Sequence, residues 1–263
     1  MTACNISHQA WRAGVATVLV ATCGAWAVCA QEEEPTAGSA AEQESAEPLI
    51  SASAEATWGN KYIFRGIAYT DDFTLFPGVS VGAKGLSLTY WGAIDQSGDS
   101  DYVESDYGID YTVDAMEKLS VTGGYLYYDL PTPDAGDGKT QEVFLTATYD
   151  TILSPTVSWY WDFDDVEGHY LSVGGSHSWS YGKRLGRPDL AVDFSASLGF
   201  SVEYTNQDES GLNDVLLGAA LPVPLNDYAQ LTGLIQYSIA LDEVDDAGGD
   251  DELFFGGTVG VSF

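Results

Sequence analysis

Acidic side chains that recur at alternate positions are the groups in this chain most able to attract or bind ions. Glu104, Asp106 and Asp110 share one set of alternate positions. Alternate residues of an extended strand point to one face. These carboxylates would therefore line a common surface, where they would attract cations as carboxylate rings do in cation channels.

The same rule of alternation adds further candidates from the polar positions of other stretches: Glu55, Lys61, Arg65, Glu142, Asp193 and Glu203. Two of these are bases, Lys61 and Arg65. We expect both to pair with some of the carboxylates, because unpaired charges in a narrow enclosed space are costly.

The overall charge excludes one class of partner. The 263 residues include 9 Lys and Arg against 40 Asp and Glu, a net charge of -31. No basic patch exists to neutralise phosphates, so nucleic acid is not an expected partner.

Catalysis and metal binding also lack support. His177 lies between Ser176 and Ser178, but neighbours in a strand face opposite ways, so this adjacency is no evidence of a nucleophile and its base. The acidic run 242–252 lacks the spaced ligand pattern of a calcium loop. The sequence predicts a protein that is not an enzyme, without cofactor or metal site. The acidic loops are expected to carry weak surface charge that divalent cations screen, without a defined calcium site.

Twelve stretches after residue 50 have the length or alternation of strands. The last is the clearest: Phe263, Val261, Val259 and Phe255 fall on one face, and small or polar residues fall on the other with Phe254 as an exception. The candidate strands cover about 50–66, 75–83, 85–94, 102–113, 119–129, 140–149, 155–163, 168–180, 189–203, 214–222, 228–241 and 252–263. About ten residues suffice for a tilted strand to cross a bilayer.

The connections between these stretches alternate in length and charge. Short links, which hold most of the basic residues, alternate with longer acidic ones. This is typical of membrane barrels, whose periplasmic turns are short and whose external loops are longer. Residues 50–263 are therefore predicted to form an all-β, transmembrane, antiparallel up-and-down β-barrel of about 12 strands, with 10 or 14 as alternatives. The aromatic residues near strand ends, Tyr62, Phe64 and Tyr204 among them, are expected to lie on the outer, apolar face and form interfacial girdles. A soluble sandwich is the competing interpretation.

The first 49 residues are predicted to lie outside the barrel. Residues 1–30 have an apolar stretch and end in Val28-Cys29-Ala30, which favours a cleaved signal peptide; Ala27 is an earlier candidate cleavage site and a lipoprotein is an alternative. All three cysteines lie in this segment. Residues 31–49 are rich in Glu, Ala, Ser and Pro, which predicts a disordered acidic periplasmic linker.

The C-terminal strand resembles the sorting signal of bacterial outer-membrane barrels. Its terminal aromatic, Phe263, follows Val261, Val259 and Phe255 on the same face. We expect this strand to engage the barrel-assembly machinery, and the protein to lie in the bacterial outer membrane in contact with its lipid.

The stretch from Lys61 to Asp72, with Pro77-Gly78-Val79 after it, resembles the N-terminal pattern of the TorF-type porins (the Gcw_chp family) in its Tyr62-Ile63-Phe64-Arg65-Gly66-Ile67 core. The match covers roughly the first third of the chain after the signal, and the acidic linker and loops depart from it. The resemblance implies an outer-membrane barrel and a channel role, and it names no substrate.

Two functions fit these features. The first is a porin-like channel for passive passage of small solutes, with a preference for cations that follows from the carboxylates at its mouth and on its inner face. The second is a structural or surface-interaction barrel with a plugged lumen, in which the inner charges form salt bridges.

Overall fold

A computed structural model describes residues 50–96, 103–130, 138–187, 190–206 and 209–263. The predicted signal peptide (1–30) and linker (31–49), and parts of several loops, lie outside these ranges. Among the described residues, no helix has the length and apolar character needed to cross a membrane.

Twelve antiparallel strands form one closed barrel, which confirms the predicted fold class. In chain order the elements are β1 (Ser51–Gly59), β2 (Tyr62–Phe64), β3 (Ile67–Thr70), β4 (Thr74–Ala83), β5 (Leu86–Asp95), β6 (Val103–Met116), β7 (Leu119–Leu130), β8 (Gly138–Tyr149), β9 (Thr156–Asp162), β10 (His169–Ser180), β11 (Ala191–Val202), β12 (Ser210–Pro224), β13 (Ala229–Ala240), the short helix α1 (Asp242–Asp246) and β14 (Glu252–Ser262). Every barrel strand pairs with its neighbours, and β1 closes the barrel against β14. The separate hairpin β2–β3 makes up the rest of the strand structure.

The outer face of the barrel is apolar. Strand residues that point outward include Val79, Val81, Leu86 and Leu88, each about half exposed. Aromatic side chains lie on this face as well, among them Tyr107, Tyr111, Trp159, Trp161 and Trp179. Aliphatic side chains exposed all around a closed barrel match the lipid-facing band of a membrane barrel. The protein is an outer-membrane β-barrel.

The two ends of the barrel differ. One end, called here the short-turn end, has brief connections such as Lys84-Gly85 between β4 and β5. It also holds the start of β1 and the end of β14, where the Ala52 amide donates to the Phe263 carbonyl at 3.2 Å. The opposite, long-loop end has longer connections, among them 60–73, 163–168 and 241–251. Apart from the connection 181–190 between β10 and β11, the connections at the short-turn end are no longer than those at the long-loop end, and we expect the short-turn end to face the periplasm.

The predicted first strand was wrong in one respect. It was expected to run from 50 to 66, but β1 ends at Gly59 and the chain then turns to form the β2–β3 hairpin, which we call the inner hairpin. Its turn is Arg65-Gly66, where both residues have positive φ, 48° and 84°. Positive φ at both central residues defines the two-residue type I′ turn, which matches the twist of short hairpins.

The inner hairpin also corrects the expected aromatic girdles. Tyr62 and Phe64 were assigned to the outer face, but Tyr62 is 1% exposed and packs in an interior cluster with Phe64 against it. Tyr204, also expected outside, lies over the Arg65 guanidinium. The apolar core of this barrel therefore sits inside it, at the long-loop end.

Candidate functional site

Aromatic packing seats the inner hairpin against the barrel wall. The Tyr62 ring contacts Phe76 of β4 and Trp91 of β5, each at 5.7 Å between centroids. Phe76 and Trp91 stack on each other at 5.6 Å, and Phe254 of β14 completes the cluster. These bulky residues occupy inward positions, so they narrow the lumen where the hairpin lies.

The tip of the hairpin forms a buried ion pair with the opposite wall. Arg65 Nη1 and Nη2 donate to the two carboxylate oxygens of Glu142 on β8, at 2.8 and 2.9 Å. The Glu142 side chain is 0% exposed and that of Arg65 is 8% exposed. Glu142 also accepts hydrogen bonds from the hydroxyls of Tyr128 and Tyr204, at 3.2 and 3.4 Å. Such a bidentate, charge-assisted salt bridge fixes the orientation of both side chains.

Burial and pairing act in opposite directions on the charge of Arg65. Desolvation disfavours the guanidinium, but attraction by Glu142 outweighs it, and the pKa of Arg65 lies well above its ordinary value. Arg65 therefore carries a positive charge that faces the Glu142 carboxylate in a salt bridge.

Four aromatic rings surround the same guanidinium. The Arg65 Cζ atom lies 4.4 to 4.7 Å from the ring centroids of Phe64, Tyr160, Tyr170 and Tyr204. Cations within about 6 Å of an aromatic centroid are attracted by the ring quadrupole. We call this set, together with Glu142, the Arg65 cage.

The backbone of the turn is tied to β12. The Asn213 side chain donates to the Arg65 carbonyl at 2.7 Å and to Asp214 at 2.9 Å. A Cβ at Gly66 would lie 2.7 Å from Val244 Cγ2 of α1 and 3.0 Å from the Asp214 Cβ. Only glycine fits here, because the position combines positive φ with a close approach to its neighbours.

The base of the hairpin is held by polar contacts at the barrel rim. Lys61 pairs with Asp71 at 2.7 Å and also with Glu252 at the start of β14. Burial lowers the pKa of Lys61, but the hydrogen bonds to Asp71 and Glu252 outweigh this effect and raise it above its ordinary value. Asn60 donates to the Leu253 carbonyl at 3.1 Å and accepts from the Phe255 amide at 2.8 Å. These bonds anchor the chain to β14 just before the hairpin begins.

Most of the predicted lumen residues do point inward. Glu104, Asp106 and Asp110 of β6 are buried, and Asp106 lies within electrostatic reach of Glu104 and Glu142. Glu55 and Asp193 are half-buried on inward positions nearer the short-turn end. These placements follow the alternation rule.

Three predicted residues have different settings from those expected. Lys61 and Arg65 belong to the connection after β1 and not to a barrel strand. Glu203 was placed on the inner face of the strand 189–203, but β11 ends at Val202, and Glu203 is an exposed loop residue with φ of 54°. A residue in the left-handed region cannot continue a pleated strand, so the alternation rule stops before it.

Small hydroxyl side chains line the lumen toward the short-turn end. They pair across neighbouring strands, as in Thr112 with Thr122 at 2.8 Å. Further pairs are Ser80 with Ser87, Thr146 with Ser158 and Thr148 with Thr156. Many of these side chains are half-buried and not fully buried. Space for water therefore remains in this half, in contrast to the packed half around the hairpin.

The two histidines of the described ranges, His169 and His177, contact neighbouring rings or backbone. His169 stacks on Trp159 and Trp161 at 5.8 and 5.9 Å, and the His177 Nδ1 lies 2.8 Å from the Ile152 carbonyl. In the part of the chain that the structure describes, no group of three or more His, Cys, Asp and Glu side chains could hold a metal ion.

Comparison of the fold with solved structures identifies its architecture. The NanC porin superposes with a TM-score of 0.51 at 11% identity, over 81% of this chain and 98% of the porin. The fold is that of outer-membrane porins. The KdgM porin gives a TM-score of 0.49 at 10% identity with the same coverage, and OprD from Pseudomonas aeruginosa gives 0.37 at 17% identity over 81% of this chain and 65% of that protein.

Sequence comparisons add no closer relative. No family model matches the chain, and no curated protein matches it. The resemblance to the TorF-type porins therefore rests on the residues around Arg65 alone.

Proposed function

We propose that this barrel is an outer-membrane channel for small solutes, that it favours cations, and that the inner hairpin closes it at the long-loop end. One observation carries the proposal. The lumen is obstructed by a separate two-stranded segment, tied to the wall through Arg65 and Glu142, while the remaining half is lined by accessible hydroxyls. A segment outside the barrel's own sheet can move without breaking the wall. The porin-like fold supports the same proposal.

The sign of the lumen charge supports a preference for cations. Glu55, Asp110 and Asp193 point inward, and the inward positions of the described barrel strands carry no Lys or Arg. Carboxylates between low-dielectric walls are screened less than in bulk water. Arg65 is neutralised by Glu142 and so does not reverse this field.

A sealed barrel with a structural or surface-interaction role is the second candidate. The Arg65 cage favours this candidate, because a bidentate salt bridge whose guanidinium is surrounded by four aromatic rings would hold the lumen closed stably. The two functions differ in whether the hairpin leaves its site, which electrical recording can detect.

The test is a reversal potential in planar bilayers under a potassium chloride gradient. We expect a cation-favouring potential for the parent and a smaller one for the triple variant Glu55→Gln, Asp110→Asn, Asp193→Asn. The matched control neutralises three acids of the short turns, Glu117, Asp150 and Asp227, which are exposed and outside the lumen.

High salt on both sides separates lumen from surface effects, since the Debye length falls to about 3 Å at 1 M. The control should then behave as the parent does. A chloride-favouring parent, or equal potentials for the triple variant and the control, would contradict a role for the lumen carboxylates. A sealed bilayer at high protein would favour the second candidate.

A further inference from the structure

The Arg65 cage has a movable part and a fixed part. The hairpin supplies Arg65 and Phe64. The fixed part belongs to the wall and the loop after β11: Glu142 on β8, Tyr160 on β9, Tyr170 on β10 and Tyr204. Release of the hairpin would remove the guanidinium and one ring, and would leave the carboxylate and three rings in place.

Contacts that do not involve Arg65 hold the fixed part together. Tyr170 contacts Tyr160 and Tyr204 at 6.3 and 6.2 Å between centroids. The Tyr170 hydroxyl donates to Asp214 at 2.8 Å, and the Tyr204 hydroxyl donates to Glu142. The three rings and the carboxylate are therefore preorganised for a cation whether or not the hairpin provides it.

An empty cage would be unfavourable. Release of the hairpin breaks the two charge-assisted hydrogen bonds between Arg65 and Glu142, and bonds of this kind are stronger than those between neutral groups. A solute cation that fills the cage removes this cost, and it thereby shifts the hairpin toward its released state, as any ligand that favours one of two conformations does.

The geometry of the cage selects one chemical class of cation. Both oxygens of Glu142 accept from Arg65, and the surrounding rings offer flat faces. A guanidinium has the planar fork of donors for the first and stacks on the second, whereas an ammonium is a compact point charge and a quaternary ammonium has no N–H to donate. We infer that the Arg65 cage is a binding site for the guanidinium group of a solute, which competes with Arg65 for Glu142 and so opens the channel.

Binding at the cage and opening of the channel can be tested separately; only the opening rests on the proposed function. The first experiment uses calorimetric titration of the purified Arg65→Ala protein in detergent with ethylguanidinium, which has the atoms that the substitution removes. We expect saturable binding of ethylguanidinium to Arg65→Ala. Binding should be about tenfold or more weaker to Arg65→Ala/Glu142→Gln, and tetramethylammonium should also bind Arg65→Ala about tenfold or more weakly, because the paired hydrogen bonds to Glu142 are missing in both cases. Lys84→Ala, which alters the equivalent basic residue of the β4–β5 turn, should bind no better than the parent.

Equal binding to the single and double Arg65 variants, or no saturable binding to Arg65→Ala, would overturn the site. Binding without any change in conductance would keep the site and overturn opening through it. If Arg65→Ala does not assemble, the parent is recorded in bilayers with ethylguanidinium or sodium added on the long-loop side at equal ionic strength. More frequent openings with ethylguanidinium, by about tenfold, support the inference. Equal opening with both cations contradicts it, even though such recordings would still show a channel.

Discussion

Replacement of Arg65 by alanine should release the inner hairpin without unfolding the barrel. The hairpin forms its own two-stranded sheet, so the ladders of the twelve wall strands stay intact when it moves. The substitution leaves Glu142 buried and without its ion partner. The expected change is therefore a local opening of low free energy, of the kind that proteins show at gating elements.

The magnitude follows from the burial of the pair. Removal of one partner of a buried ion pair costs about 3–5 kcal/mol, and neither side chain is exposed enough here for solvent to reduce that figure much. Each 1.4 kcal/mol is a tenfold change in an equilibrium constant, so docking of the hairpin should weaken by a factor of roughly 10² to 4 × 10³. Replacement of both partners, Arg65→Met with Glu142→Gln, should recover much of this loss because no unpaired charge remains.

The assay is the rate at which a thiol reagent labels a cysteine placed at Ile63. Ile63 is 6% exposed on β2, and the three natural cysteines all lie in the predicted signal peptide. Labelling should be slow in the parent background, much faster with Arg65→Ala, and intermediate or slow in the double variant. Lys84→Ala is the control, since it changes a basic residue at the same position of the same turn type at the opposite end. A labelling rate for Arg65→Ala within about twofold of this control would refute the reasoning, since the ion pair would then contribute almost nothing to docking.

Three further predictions concern other parts of the structure. Gly66→Ala should raise labelling at Ile63 because its Cβ would meet α1, whereas Gly186→Ala, also at positive φ but with nothing within 4 Å, should leave labelling unchanged; equal effects would mean that backbone strain and not contact matters. Phe263→Asp should prevent outer-membrane assembly, checked by membrane fractionation, and normal levels would show that the terminal aromatic is not the sorting signal. Because the pKa of Lys61 is raised in the folded protein, its ion pairs are present below the ordinary lysine pKa of about 10.4 and are lost as pH rises through the higher folded value. Channel opening in the parent should therefore increase at strongly alkaline pH. Lys61→Met lacks these ion pairs at any pH and should show no such increase.

The wall of the barrel could be predicted because lipid imposes a simple rule on each strand. Outward residues must be apolar along the whole span. The predicted ends of strands such as β11 and β14 therefore lie within about two residues of the observed ends. The rule needs no knowledge of the partner strand. It also placed Glu104, Asp106 and Asp110 on the inner face, where the structure has them.

The inner hairpin escaped prediction because its residues continue the same alternation. Trp58, Tyr62 and Phe64 share one parity, so the pattern runs past Gly59 without a break. The available signal was the turn: Arg65-Gly66 has the same basic-glycine sequence and similar positive φ values to Lys84-Gly85, which joins β4 to β5. A local pattern cannot tell whether such a turn reverses the chain outside the barrel or within it.

The Arg65 cage could not be predicted at all from local patterns. Arg65 and Glu142 are 77 residues apart, and their contact depends on the closure of the barrel. The indirect signal lay in bulky residues on polar faces. Phe254 was the exception in the last strand and Trp91 stood among small residues in β5, and both pack against the hairpin side of the lumen. Large side chains at inward positions mark where a barrel is filled.

The most direct test of closure by the hairpin is to shorten it. Tyr62 and Thr70 are cross-strand partners, so residues 63–69 can be replaced by a two-residue Asn-Gly turn that keeps the entry and exit of the segment in place. Single-channel recordings in planar bilayers should then show a parent that is mostly closed with brief openings and a shortened variant that is steadily open with larger steps. Steps of the same size and frequency in both proteins, with correct assembly of each, would contradict closure by the hairpin.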